Sequence, residues 1–428
     1  MGLIARDKRF GYGTCAGGVE GIGMGEEAAA RRAALVDWLA REGRVRDPLV
    51  ESALRAVPRH VFLPGATLDV AYADEAIPVK EAGGKVVSSA SQPSMVAIML
   101  EQLDLRPGQR VLEIGAGTGY NAALMTHLVG PSGAVTTLDL DADLVAQAAR
   151  NLAAAGYPGV RVVQGDGAYG YSPDAPYDRI ILTVGAADVS PAWVEQLRPD
   201  GRLVLPLAIR VTQRSLALEP RGDHLESVSS FACGFVPLRG LLAGPESRLE
   251  VETAVATYTL LLADAERVDP LRLADCLKRP SDFRATGILA RGTEVFDGLV
   301  PWLELESEKV VVVSVGQSAS LPVGGGLRST IGLLDAEGIA LLGGRVADDA
   351  QPPELIVQGF GQAERTVGEL ASLVARWEIL GRPGGGTLGI RVYPADADYQ
   401  PRPGEHVIPK RWSTIVLDWH APSPSSYI

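Results

Sequence analysis

The chain is poor in the residues that build metal centres and disulfide frameworks. Its three cysteines, Cys15, Cys233 and Cys276, stand far apart in 428 residues, and its five histidines, His60, His127, His224, His406 and His420, are equally scattered. No spacing resembles a metal-ligand set, so no metal is expected. An odd cysteine count argues against a disulfide framework and for a reducing cytoplasm. No apolar run approaches a membrane span, and the first 24 residues lack the continuous apolar stretch of a secretory signal, so no membrane association is expected. Basic charge is scarce too. The formal net charge is −12, and the one arginine cluster, Arg31, Arg32, Arg41, Arg44 and Arg46, is interleaved with acids and reads as a solvated helix face. Proteins that grip phosphate backbones usually present a basic face, so nucleic acid is not expected as a partner.

What is present is ample core material. Apolar residues make up 46% of the chain, and its 49 glycines and 29 prolines fall mostly in loops. The length suggests two or three domains. Residues 1–24 are Gly-rich and irregular, and are expected to form a flexible leader, with Met24 as an alternative start. Helical periodicity follows over 25–44, and Asp47-Pro48 opens a second helix whose apolar stripe is Leu49, Val50, Ala53, Leu54 and Val57.

From 107 to 208 buried strands and helices alternate. Strands are expected at 110–114, 135–138, 160–164, 178–184 and 202–207, and helices at 121–129, 143–155 and 191–197. That alternation implies an α/β fold, a Rossmann-like, mostly parallel, doubly wound sheet covered on both faces. After about 220 the pattern changes to apolar runs separated by Gly/Pro turns, with one clear helix near 365–379. The expected division is a first domain over 25–235 and a smaller α+β domain over 245–428, a candidate for substrate recognition, with the boundary between 235 and 250.

The sharpest motif is Glu113-Ile114-Gly115-Ala116-Gly117-Thr118-Gly119-Tyr120, placed where a buried strand turns into a helix. Glycines let the chain turn sharply and let a ligand approach bare backbone, and the following helix N-terminus offers unpaired N–H groups. Dinucleotide enzymes use G-x-G-x-x-G at this place. Here Tyr120 stands where their third glycine should be. S-adenosylmethionine has no phosphate but carries an ammonium and a sulfonium, and Glu113 suits a cationic amino-acid group, directly or through water. The next strand ends in Leu138-Asp139, whose carboxylate can accept from both ribose hydroxyls. The third is followed by Gly165-Asp166-Gly167, where Asp166 is placed to accept from an exocyclic adenine amine. Asp139 could instead cap the next helix, and Asp166 could be a plain turn aspartate. The cofactor set is read as Glu113, Gly115, Gly117, Gly119, Tyr120, Asp139, Leu140, Asp166, Gly167 and Thr183, and the cofactor as S-adenosyl-L-methionine.

Upstream stands Ser88-Ser89-Ala90-Ser91-Gln92-Pro93. With the glycine loop, with Val57-Pro58-Arg59-His60-Val61-Phe62-Leu63-Pro64, with Ala71-Tyr72-Ala73-Asp74 and with the run from Leu197 to Pro206, it resembles the protein-L-isoaspartate (D-aspartate) O-methyltransferase family over about 45–210. The resemblance implies a cytoplasmic, S-adenosylmethionine-dependent carboxyl O-methyltransferase. Its substrate would be an aspartyl or isoaspartyl side chain of a protein or peptide, and the methyl ester could collapse to a succinimide. It implies that Ser91 is the catalytic hydroxyl and that Ser88, Ser89 and Gln92 lie on the substrate side. From the residues alone, Ser91 could equally cap the helix starting near Pro93. The chain departs from the family's usual pattern at Val87, Ser88, Ala90 and Ser94, so the cofactor half is better kept than the substrate half. Residues 296–303, 391–394 and 412–419 look like longer relatives that methylate an aspartate of a ribosomally made, modified precursor peptide and install an aspartimide. Their other reading is core packing. A third possibility is a cofactor-binding scaffold whose catalytic site has decayed.

Overall fold

In the computed structural model the described residues are 24–245, 247–316, 319–346 and 351–419. The expected leader therefore lies outside them, except for residue 24, where the first helix begins (Met24–Arg41). The second helix, Pro48–Ala56, starts as the sequence predicts, with the Asp47 carboxylate accepting from the Leu49 amide and proline in the first turn.

Among the described residues, nineteen strands form three sheets. A hairpin of β1 (Ile77–Ala82) and β2 (Lys85–Ala90) stands alone. The large sheet runs β18-β19-β17-β9-β8-β7-β6-β3-β4-β5. Its strands are β3 (Arg110–Ile114), β4 (Ala134–Asp139), β5 (Arg161–Gln164), β6 (Tyr177–Leu182), β7 (Leu197–Ala208), β8 (Gln213–Arg221), β9 (His224–Cys233), β17 (Leu388–Pro394), β18 (His406–Pro409) and β19 (Ser413–Trp419). The pairings from β5 to β7 are parallel and those from β7 to β18 antiparallel. Two apolar clusters cover its faces. One contains Leu112, Ile180, Trp193 and Leu205, the other Val111, Leu124, Leu152 and Ile181. Alternate residues of β3 and β6 thus point to opposite cores, as the two-residue period of a strand requires.

The third sheet is antiparallel, in the order β10 (Arg248–Glu252), β11 (Thr257–Leu262), β13 (Val310–Val315), β14 (Ser329–Leu334), β15 (Gly338–Arg345), β16 (Glu354–Gly361) and β12 (Pro280–Leu289). Helices Val300–Glu306 and Glu364–Ile379 share one apolar cluster with it, and helix Pro270–Leu277 shares another.

One boundary expectation needs correction. Residues 245–428 do not form one unit, because β17, β18 and β19 return to the first sheet. Arg391 and Val392 pair with Glu226 and Leu225 of β9. Asp188, only 5% exposed, accepts from the Trp412 amide, the Ser413 hydroxyl and the Val189 amide, which ties the start of β19 to the loop after β6. The smaller unit is thus an insertion between β9 and β17. Among the described residues no helix is long and apolar enough to cross a membrane.

Candidate cofactor and acceptor pocket

The parallel strands end at one edge of the sheet, and the turn after β3 opens there. Gly115, Gly117 and Gly119 all have positive φ, at 106°, 49° and 87°. A β-carbon on Gly115 would stand 2.7 Å from Thr183 Oγ1. One on Gly117 would meet nothing nearer than Ser88 Oγ at 3.8 Å, so the space before it is open. The turn is tied down by backbone. The amides of Gly115 and Ala116 both donate to Leu138 O at 2.8 and 3.0 Å, and Thr183 Oγ1 donates to Gly115 O at 2.7 Å. Asn151 fixes the far side by donating to Thr118 O at 2.9 Å.

Glu113 ends β3 fully buried. It accepts from Asn121 Nδ2 at 2.8 Å and Thr137 Oγ1 at 2.6 Å. Both donors are neutral, and burial pushes its pKa up to about 7. A buried carboxylate without a cation is costly, and a positive group beside it would offset that cost. Asp139, 9% exposed, accepts from the Gly117 amide at 3.0 Å and, more loosely, from the Asp141 amide, and burial raises its pKa. With the open cradle before Gly117, these acids fit the cationic, phosphate-free S-adenosylmethionine.

One pocket gathers Glu113, Gly115, Gly117, Tyr120, Asp139, Leu140, Gly167 and Thr183 with Ser88, Ser89 and Ser91. Three residues of the expected set are not in its lining. Gly119 is the N-cap of the helix Tyr120–Val129, packed against Leu152 and Ala148. Asp166 caps the short 3-10 turn at Gly167–Tyr169 through Ala168 N and accepts from Leu241 N, so backbone donors engage both its oxygens. Gln92 donates to Asp74 Oδ2, while Asp74 Oδ1 accepts from Ser94 N in the first turn of the helix Pro93–Leu103. That last contact bears on Ser91. The helix N-cap is Gln92 without a side-chain cap bond, and Asp74 supplies the acceptor. The Ser91 hydroxyl is therefore not the cap, and its carbonyl is held by Arg59 Nη2 at 3.0 Å.

Two features were not assigned from the sequence. Arg59, 1% exposed, lines the pocket, donates to Ala71 O and Ser91 O, and lies 5.1 Å over the Tyr120 ring. Burial lowers its pKa, and the charge of Asp74 partly offsets this. The second is the segment 235–239, which forms another part of the pocket wall. It is held by Gly185, whose amide donates to Val236 O and whose carbonyl accepts from Leu238 N, both at 2.8 Å. The residues suggestive of longer relatives lie elsewhere. Trp302, Leu303 and Val300 belong to the core of the smaller sheet, and Val392, Ile415 and Leu417 to that of the large one. Among the described residues no cluster of His, Cys, Asp and Glu could hold a metal.

A sequence model of the family described as protein-L-isoaspartate(D-aspartate) O-methyltransferase matches residues 30–243. The protein-L-isoaspartate O-methyltransferase of Methanopyrus kandleri is 43% identical over 211 residues, covering 49% of this chain and 91% of that protein. That of Hyperthermus butylicus is 41% identical over 218 residues, covering 49% and 88%. A solved structure named protein-L-isoaspartate O-methyltransferase overlaps 90% of this chain and 98% of its own, at 23% identity and a TM-score of 0.49.

Proposed function

The chain belongs to the protein-L-isoaspartate(D-aspartate) O-methyltransferase family, and on that premise we propose that it esterifies an aspartyl or isoaspartyl carboxylate of a polypeptide with a methyl group from S-adenosylmethionine. The observation that carries this reading is a single pocket in which a glycine turn with two buried acids faces a serine hydroxyl free of any capping role. Bound there, the cofactor supplies a methyl group made electrophilic by its sulfonium.

The chain's own part is orientation. Glu113 and Asp139 hold the cationic and ribose ends, and the turn at 115–117 leaves bare backbone for close approach. The acceptor carboxylate is ionised at neutral pH and needs no general base. The Ser91 hydroxyl donates to one of its oxygens and leaves the other free to attack. Arg59, behind Ser91, gives this end of the pocket a positive potential that suits an anion. Exclusion of water and alignment supply most of the rate enhancement in a displacement of this kind. Decay to a mere scaffold fits poorly with this set of residues. A dedicated precursor peptide finds no particular support, since the relatives carry the isoaspartate name.

The test is mass spectrometry of an isoaspartyl peptide and its aspartyl twin, each incubated with the protein and S-adenosylmethionine. A methyl ester on the isoaspartyl peptide is expected. Cofactor binding with no ester on either peptide would reject the reading.

A further inference from the structure

The family match stops at residue 243, yet the chain beyond it reaches back to the pocket. The turn between β7 and β8, residues 208–212, is gripped from two sides. Glu304, in the helix Val300–Glu306 and 0% exposed, accepts from the Val211 amide at 2.7 Å and the Thr212 amide at 2.6 Å with one oxygen. Its other oxygen accepts from the Thr212 hydroxyl at 2.7 Å. Lys410 Nζ donates to the carbonyls of Ala208 and Ile209, both at 3.0 Å. The anion thus takes the turn's donors and the cation its acceptors, which is what makes burial of both tolerable.

The next residue carries the grip to the pocket. Gln213 Oε1 accepts from Phe235 N at 2.8 Å and its Nε2 donates to Phe235 O at 3.2 Å, so its amide acts as a strand partner for that one residue. The same amide packs so closely on Gly185 that a β-carbon there would sit 2.3 Å from Nε2. Gly185 in turn bonds Val236 and Leu238. Residues 235–239 therefore rest on Gln213 and Gly185, and Gln213 rests on a turn fixed by Glu304 and Lys410.

We propose that Gln213 and Glu304 are positioning residues through which the chain beyond the family match sets the acceptor wall at 235–239, and so the polypeptides that can enter. The proposal rests on the methyltransferase reading for its kinetic readout alone. Shorter relatives, matched over half of this chain, would have to fix the corresponding wall by other means.

The test uses the full chain with Gln213→Ala, Glu304→Ala and the conservative Glu304→Gln. Amide hydrogen exchange at 235–239 should quicken by about tenfold in both alanine variants, with 110–140 unchanged. KM for the isoaspartyl peptide should rise by about tenfold, while the affinity for S-adenosylhomocysteine stays within about twofold. Glu304→Gln, which keeps an acceptor for both amides, should recover most of both effects. Unchanged exchange at 235–239 would overturn the proposal. So would a parallel loss of peptide and nucleoside binding, which general destabilisation would give. If Glu304→Ala does not fold, Gln213→Ala and Glu304→Gln decide alone. If the wild-type protein esterifies no peptide, the functional reading fails, and the exchange data still decide this one.

Discussion

The two walls of the pocket are built by opposite means. The cofactor wall is made of the ends of β3 and β4 and the turn between Ile114 and Tyr120, all within residues 110–139, and it is held largely by backbone bonds such as Gly115 N and Ala116 N to Leu138 O. The acceptor wall at 235–239 is held by the Gln213 side chain and the Gly185 backbone, and behind Gln213 stands Glu304, which grips a turn some 92 residues before Glu304 itself. A wall of the first kind tolerates little change, because a single methyl group on Gly115 collides with the Thr183 side chain. A wall of the second kind can be retuned from outside the pocket. Cofactor binding should therefore be brittle to substitution, and acceptor binding graded.

The largest effect is expected at Gly115. Alanine there would have to adopt a φ of 106° with its β-carbon 2.7 Å from Thr183 Oγ1. Strain of this kind costs about 1–3 kcal/mol, so calorimetry should find S-adenosylhomocysteine bound roughly ten- to a hundredfold more weakly. Wild-type affinity would break the contrast between the walls. Ser91→Ala comes next. Loss of one hydrogen bond to a charged acceptor is worth about 1.5–3 kcal/mol, so kcat should fall by at least about tenfold. The melting temperature should hold, because Asp74 and not Ser91 caps the helix Pro93–Leu103. A fall in melting temperature with kcat kept would return Ser91 to a structural role.

How much of this was legible follows from the same contrast. Glu113, Gly115, Gly117 and Asp139 stand within a few residues of strand ends, and a strand's end can be read from its own apolar run. Asp47 before Pro48 was a readable helix start for the same reason. Sheet membership is different. The run 413–419 has the alternation of a strand in any sheet, and its partners at 388–394 and 406–409 do not reveal that β9 lies beyond them. Pairing choice depends on cross-strand neighbours, not on the strand itself. Asp166 was ambiguous because Gly-Asp-Gly serves a turn and a ligand alike, and its second partner, Leu241 N, is 75 residues away. The segment 235–239 fell where composition suggested a domain boundary. Contacts with Gln213, Gly185 and Asp141, none of them adjacent in sequence, make it a wall.

Glu113 sharpens the comparison through pH. Its folded pKa is raised from 4.5 to about 7 by burial. A raised carboxylate gives stability that is full below pH 4.5 and is lost as pH rises through about 7, because the folded state binds the proton more tightly than the unfolded one. In the absence of ligand, Glu113→Gln should remove that slope from denaturant unfolding curves. A cationic ligand favours the ionised form, so wild-type binding near pH 6.5 should release a proton. Calorimetry in buffers of different ionisation enthalpy would read it, and the glutamine variant should release none. Equal proton release by both proteins would place the cation's partner elsewhere.

The smallest effect is expected where the two walls meet. Arg239, from the acceptor wall, makes a two-pronged pair with Asp141, beside the cofactor wall, at 2.8 and 3.2 Å, and Lys80 reaches the same carboxylate at 2.7 Å. The Arg239 side chain is 36% exposed, and Arg239→Met leaves Asp141 paired with Lys80, so no charge is orphaned. Partly exposed pairs contribute about 0–1 kcal/mol, so peptide KM should rise by no more than about fivefold. The difference from wild type should shrink as salt is raised, because screening weakens the pair being removed. A loss of well over tenfold that persists in high salt would mean that Arg239 meets the acceptor itself. The wall would then be a binding surface in its own right, and its dependence on Gln213 and Glu304 would be secondary to the charge it carries.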